Sequence, residues 1–128
     1  MTGTATTVMT RVCALDDLTP DLGVAALLGQ TQVAIFLLAD GRVFAVQNLC
    51  PFSGASVMSR GITGSRGGVP TIASPVYKQV FSLVDGVCLA TMDKSPVRGL
   101  VPDLATYHVA IEGGDVFVGG AAPDATGR

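Results

Sequence analysis

A chain of 128 residues is the size of one domain and long enough to bury a core without disulfide or metal staples. Charged residues make up only 14% of it against 48% apolar, so a partner is expected to cover part of its surface. A net charge of −2, with no basic run and no interleaving of aromatic with basic residues, argues against nucleic acid as that partner.

The apolar runs are short, β-branched and punctuated by Gly, Pro and Asp, which predicts strands. Val8–Cys13 reads as the first. Leu15–Leu18 reads as a short turn or helical hook, with Asp16 or Asp17 as its cap. Val24–Leu28 and Gln32–Leu38 are strands around Gly29-Gln30. Asp40-Gly41 separates this pair from Arg42–Gln47; Asp-Gly between apolar runs supplies the positive φ of a tight hairpin turn. The device recurs at Asp85-Gly86, between Val80–Val84 and Val87–Leu89. It recurs again as Gly113-Gly114, between Thr106–Ile111 and Asp115–Val118. Two loops, Asn48–Ser59 and Ala73–Gln79, lie between the hairpins. The link Arg60–Pro70 holds Gly61, Gly64, Gly67 and Gly68 and is expected to be an exposed excursion, mobile or ordered by a partner. The tail after Gly119 is expected to fray. Nothing has the length and 3.6-residue period of a substantial helix. The prediction is one all-β domain over residues 1–128, an antiparallel sandwich or small barrel with its core at about 8–118.

No apolar stretch approaches the roughly 20 residues that span a bilayer. Met1–Thr10 lacks a charged-then-apolar signal pattern, so the expected location is the cytoplasm, with no membrane partner. Cys13, Cys50 and Cys88 form no CxxC and are expected as reduced thiols. With His108 they would make a metal set lacking any short ligand spacing, and no metal is expected. His108 sits in an alternating strand without the partners of a catalytic triad. Gly64, Gly67 and Gly68 are followed by no GK[ST], so a phosphate loop is not supported. No Lys, Arg or His adjoins Cys50 to lower its pKa, and it reads as a small apolar residue before Pro51.

The segments Asn48-Leu49-Cys50-Pro51-Phe52-Ser53-Gly54-Ala55, Ser74-Pro75-Val76-Tyr77-Lys78, Phe81-Ser82-Leu83 and Asp85-Gly86 resemble the two cluster-binding loops of Rieske proteins. Those loops run Cys-Pro-His and Cys-Pro-x-His-Gly. The resemblance implies a Rieske-like fold of antiparallel sheets with two loops at one end. It also implies where cluster ligands would stand. Cys50 occupies the first Cys position and Phe52 the first His position; Ser74 replaces the second Cys and Tyr77 the second His. A Rieske centre takes two thiolates on one iron and two imidazoles on the other. The chain has a single histidine, so no shift of register restores the set. Ser and Tyr oxygens are poor substitutes for thiolate. No catalytic residue and no cofactor are expected in this chain.

Further segments resemble the small subunits of bacterial assimilatory NAD(P)H-dependent nitrite reductases. These are Gly23-Val24-Ala25-Ala26-Leu27-Leu28, Gln32-Val33-Ala34-Ile35-Phe36, Val57-Met58-Ser59-Arg60-Gly61 and the Ser-Pro-x-x-Lys-Gln pattern from Ser74. This resemblance implies a partner, a large subunit carrying FAD, siroheme and an iron–sulfur cluster that reduces nitrite to ammonia. Phe52 and Tyr77 are then expected to fill the former cluster site with apolar volume. Together with Pro51, Ser53, Pro75, Lys78 and Arg60 they are expected to form a docking patch, since aromatic and Arg residues anchor interfaces. The alternatives are a Rieske-type ferredoxin with atypical ligands, a component of a ring-oxygenase system, or an independent cluster-less binding module.

Overall fold

The computed structural model describes residues 9–121. Its strands are β1 (Met9–Ala14), β2 (Gly23–Leu28), β3 (Thr31–Leu37), β4 (Val43–Gln47), β5 (Ile62–Arg66), β6 (Val69–Ala73), β7 (Val80–Ser82), β8 (Cys88–Ala90), β9 (Thr106–Glu112) and β10 (Asp115–Ala121). All their pairings are antiparallel. One sheet has the order β1-β10-β9-β4-β3-β2 and the other β5-β6-β7-β8. Among the described residues, helical structure is limited to two 3-10 turns, Leu15–Asp17 and Met58–Arg60. Among these residues no helix is long and apolar enough to cross a membrane. The expected start of β1 at Val8 lies outside the described residues, as does most of the tail; Gly120 and Ala121 continue β10 rather than fray.

β3 explains why there are two cores. Its run Val33–Phe36 is buried on both faces, and successive side chains point opposite ways. Val33 and Ile35 join Leu18, Ala45, Val116 and Val118 in one cluster. Ala34 and Phe36 join Val46, Phe52, Met58, Ile72, Phe81, Leu83 and Leu104 in the other. The wall of β3 and β4 is therefore shared: one face packs on the ladder from β1, β9 and β10, and the other on the four-stranded sheet and its loops.

The turns follow the chemistry of their residues. Gly41, Gly86, Gly113 and Gly114 all have positive φ, as hairpin turns require. The hook at Leu15–Asp17 is fastened by Asp17, whose carboxylate accepts the Ala14 N–H at 3.0 Å. At Gly86 the choice is forced twice: φ is +79°, and a Cβ would collide with the Leu104 carbonyl. The hairpin expected over Val80–Val84 and Val87–Leu89 is shorter, because Ser82 ends β7. Its Oγ accepts the Val84 N–H at 3.1 Å and draws the chain into a turn.

One expectation is overturned. The link Arg60–Pro70 is exposed over most of its length, but it is the β5–β6 hairpin, closed by Gly67 and Gly68 at φ +56° and +84°. The strand signal was weak because β5 contains one apolar residue, Ile62, and β6 contains Pro70. A proline is tolerated there because it gives up only its donor, while its carbonyl accepts the Leu83 N–H at 2.9 Å.

The register also fixes where the described residues begin and end. Met9 lies opposite Gly119, Ala121 opposite Tyr107, and Thr106 opposite Val46. From Val46 the chain runs through Gln47 into the first loop. Both ends of the described chain thus sit at the end of the six-stranded sheet from which that loop springs.

Candidate functional site

The first loop is built by side chains where the ladder stops. Asn48, 1% exposed, donates through Nδ2 to Gln32 Oε1 at 3.0 Å and to the Ser56 carbonyl at 3.2 Å. Its Oδ1 accepts the Ser59 N–H at 2.8 Å. One amide thus ties both ends of the loop to β3. Gln47 does the same for the chain's return: its Oε1 accepts the Ala105 N–H at 2.8 Å, while its Nε2 donates to the Leu49 carbonyl at 2.7 Å. The second loop closes on itself, with the Ser74 N–H donating to the Gln79 carbonyl at 2.8 Å and the Lys78 N–H to the Ser74 carbonyl at 3.1 Å.

The fold brings the two loops together at the positions the sequence marked. Cys50 Sγ and Ser74 Oγ are 3.4 Å apart and fully buried. These positions correspond to the two thiolates on one iron, and here a direct hydrogen bond joins them. Burial would push the Cys50 thiol up, but hydrogen bonds from the Ser53 and Ser74 hydroxyls and from the Ser53 and Phe52 backbone hold it below its ordinary value. That cause was invisible in a search for neighbouring cations. Phe52, 2% exposed, packs its ring on Phe81 at a centroid distance of 6.1 Å.

Tyr77 departs from the expectation that it fills the cluster site. Its ring is 42% exposed and lies outside the core, with Lys94 Nζ 4.6 Å from its centroid. Lys78 occupies the place of the glycine in Cys-Pro-x-His-Gly and keeps a positive φ of +68° with a side chain attached. Of the expected docking set, Cys50, Pro51, Phe52 and Ser74 are buried, Ser53 and Pro75 are half-buried, and Tyr77 and Lys78 are exposed. Arg60 is exposed but lies apart. It lines an open cleft of about 800 Å³ with Asp21, Leu22, Asp40, Arg42 and Ile62, and none of the other candidate residues reaches that cleft.

The sequence reading missed a third segment of the site. Residues 91–98 strap across both loops. The Thr91 carbonyl accepts Gln79 Nε2 at 3.3 Å, the Val97 N–H donates to the Pro51 carbonyl at 2.9 Å, and Arg98 Nη2 donates to the Gly54 carbonyl at 3.3 Å. The strap has no strand period and no motif. Its only sequence signal was the concentration of Lys94, Pro96, Arg98 and Gly99 in a stretch without apolar alternation.

The residues present do not fit a [2Fe–2S] Rieske centre. Phe52 has no donor atom, and its ring and that of Phe81 belong to the same buried apolar cluster as Cys50. The single histidine, His108, lies in β9 rather than in either loop. Among the described residues no group of three or more His, Cys, Asp or Glu side chains is placed to hold a metal ion.

Two antiparallel sheets with paired loops emerging beside them define a Rieske-type domain, and the Rieske-like [2Fe-2S] domain family model matches residues 8–119. The chain is 47% identical over 79 residues to the nitrite reductase (NADH) small subunit of Escherichia coli K12, covering 61% of this chain and 73% of that one. A crystal structure from Mycobacterium tuberculosis, assigned as an NADH-dependent nitrite reductase small subunit, superposes with a TM-score of 0.79 at 44% identity, covering 92% of this chain and 99% of that one. The chain belongs to the nitrite reductase small subunits, within the Rieske-like family. A further relative is the nitrite reductase [NAD(P)H] large subunit of Klebsiella oxytoca, 38% identical over 108 residues, which are 84% of this chain and 10% of that one.

Proposed function

We propose that this chain is a single-domain, non-catalytic subunit of a cytoplasmic NAD(P)H-dependent nitrite reductase of nitrogen assimilation, and that it carries no cluster of its own. Reduction of nitrite to ammonia belongs to a large subunit holding FAD, siroheme and an iron–sulfur cluster. The observation that carries this reading is the Klebsiella relative, in which a domain of this kind is one part of a polypeptide about ten times its length. Fusion holds two partners at high effective concentration, a benefit only where they act together. The rebuilt ligand quartet supports the cluster-less half, because an electron carrier needs donor atoms that Phe52 cannot supply.

The proposed contribution of the chain is to dock on the large subunit and stabilise it. Cys50, Pro51, Phe52 and Ser74 shape the loop pole from within, while Ser53, Pro75, Tyr77 and Lys78 present it; Arg60 stands apart from this surface. Purification of the tagged chain from its host, grown on nitrite, tests the reading. The expected result is a large co-purifying protein with siroheme and flavin absorption and pyridine-nucleotide-linked nitrite reduction. A colourless chain with no partner would refute it. Iron and sulfide analysis of the chain alone is expected to find no stoichiometric cluster. Tyr77→Ala should weaken association while leaving the melting temperature nearly unchanged; intact association would remove the docking half.

A further inference from the structure

The charges of the loop pole run against those of the whole chain. The chain is net negative, yet residues 48–59, 74–79 and 91–98 carry Lys78, Lys94 and Arg98 against one carboxylate, Asp93. Both lysines of the chain are here. Among the described residues the ion pairs are Arg11 with Asp115 and Arg42 with Asp40, so none of the three pole cations has a carboxylate partner.

These cations are also held in place at a conformational cost. Among the described residues five non-glycine residues have positive φ, and four lie on this pole: Lys78, Met92, Asp93 and Arg98. Left-handed backbone is unfavourable for residues with a Cβ and concentrates at sites whose function requires it. Lys78 is the plainest case, since the loop pattern has glycine at its position. Lys94 is steadied over the Tyr77 ring, and Arg98 spends one donor on the Gly54 carbonyl and keeps others of its fork free. Both ends of the described chain leave at the sheet end from which the first loop springs, so a fused polypeptide would be tethered beside it.

We infer that the loop pole docks on an acidic surface of the large subunit, with Lys78, Lys94 and Arg98 facing its carboxylates and the exposed Tyr77 and Val76 supplying the apolar contact. This rests on the reading of the chain as a subunit of that enzyme. Complementary charge sets the association rate and the register of such an interface, and exposed charge is screened by salt.

The test measures binding of the full-length chain to the purified large subunit at low and high ionic strength. Wild type should bind more weakly as salt rises. The pair Lys78→Glu with Lys94→Glu should lose about tenfold or more in affinity, the scale of close charge pairs across an interface. Arg66→Glu, at the exposed end of β5, should stay close to wild type. Lys78→Gly gives a readout that damage to the fold cannot imitate, because relief of the positive φ should raise the melting temperature while binding weakens. Salt-independent binding, or wild-type affinity in the double reversal or in Lys78→Gly, overturns the acidic-surface inference and leaves the subunit reading standing. A wild-type chain that binds no large subunit overturns both.

Discussion

The six-stranded sheet and the loop pole hold their shapes by different means. In the sheet, the ladder satisfies the backbone and alternating Val and Ile residues do the rest, so each residue contributes a little and none is singular. At the pole the ladder is absent. Isolated backbone hydrogen bonds are supplemented there by the side chains of Asn48, Gln47, Ser74 and Arg98, and several residues sit at positive φ. A strand keeps its backbone path after the loss of one side chain better than a loop keeps its own after the loss of its anchoring amide. The pole owes its shape to a few specific residues, which also gives it a surface that a partner can read.

The largest test of this contrast is on the shared core. Phe81→Ala should lower the unfolding free energy by about 3–5 kcal/mol, measured by urea titration, because Phe81 is fully buried and Phe52 packs on it. Asn48→Ala should follow at about 2–3 kcal/mol, since it leaves the Ser59 N–H and the Ser56 carbonyl without their buried partner. If Asn48→Ala cost less than an ordinary exposed substitution, the account of the loop as held by side-chain amides would be wrong. Ser74→Ala should cost about 1 kcal/mol, the worth of the hydroxyl's bonds to Cys50 and the Val76 N–H. Hydrogen exchange should show the loss confined to the second loop.

The smallest effect is a pH dependence. The fold holds the Cys50 thiol below its ordinary value, so its contribution to stability is full above the unfolded pKa of about 9 and is lost as pH falls through the folded one. Cys13 and Cys88 are pushed up by burial, and their contribution is present below the unfolded value and lost as pH rises through the folded one. Stability measured between neutral pH and about 9 should therefore fall more steeply with pH in Cys50→Ala than in wild type. Parallel curves would mean that the serine hydroxyls do not stabilise the thiolate.

Much of the fold was legible because periodicity and turn chemistry are local. Asp40-Gly41, Asp85-Gly86 and Gly113-Gly114 mark hairpins for a reason that holds in any context, the positive φ of the turn. The β5–β6 hairpin escaped because Ile62-Thr63-Gly64-Ser65-Arg66 carries almost no apolar signal; its pairing is dictated by β7 on the far side of β6. The site was half legible. The loop resemblance put Cys50 beside Ser74 and turned Phe52 inward, as the fold does; it turned Tyr77 inward too, and the fold leaves that ring outside.

By itself the sequence determined the strand class, the main turns, the two loops and the absence of a complete Rieske donor set. All of these rest on residue identity and short-range spacing. Only the tertiary structure decided that residues 91–98 strap the loops, that Arg60 faces a separate cleft, and that Lys78, Lys94 and Arg98 share one pole. Those outcomes depend on contacts between residues far apart in the chain, for which no local pattern of side chains carries a signal.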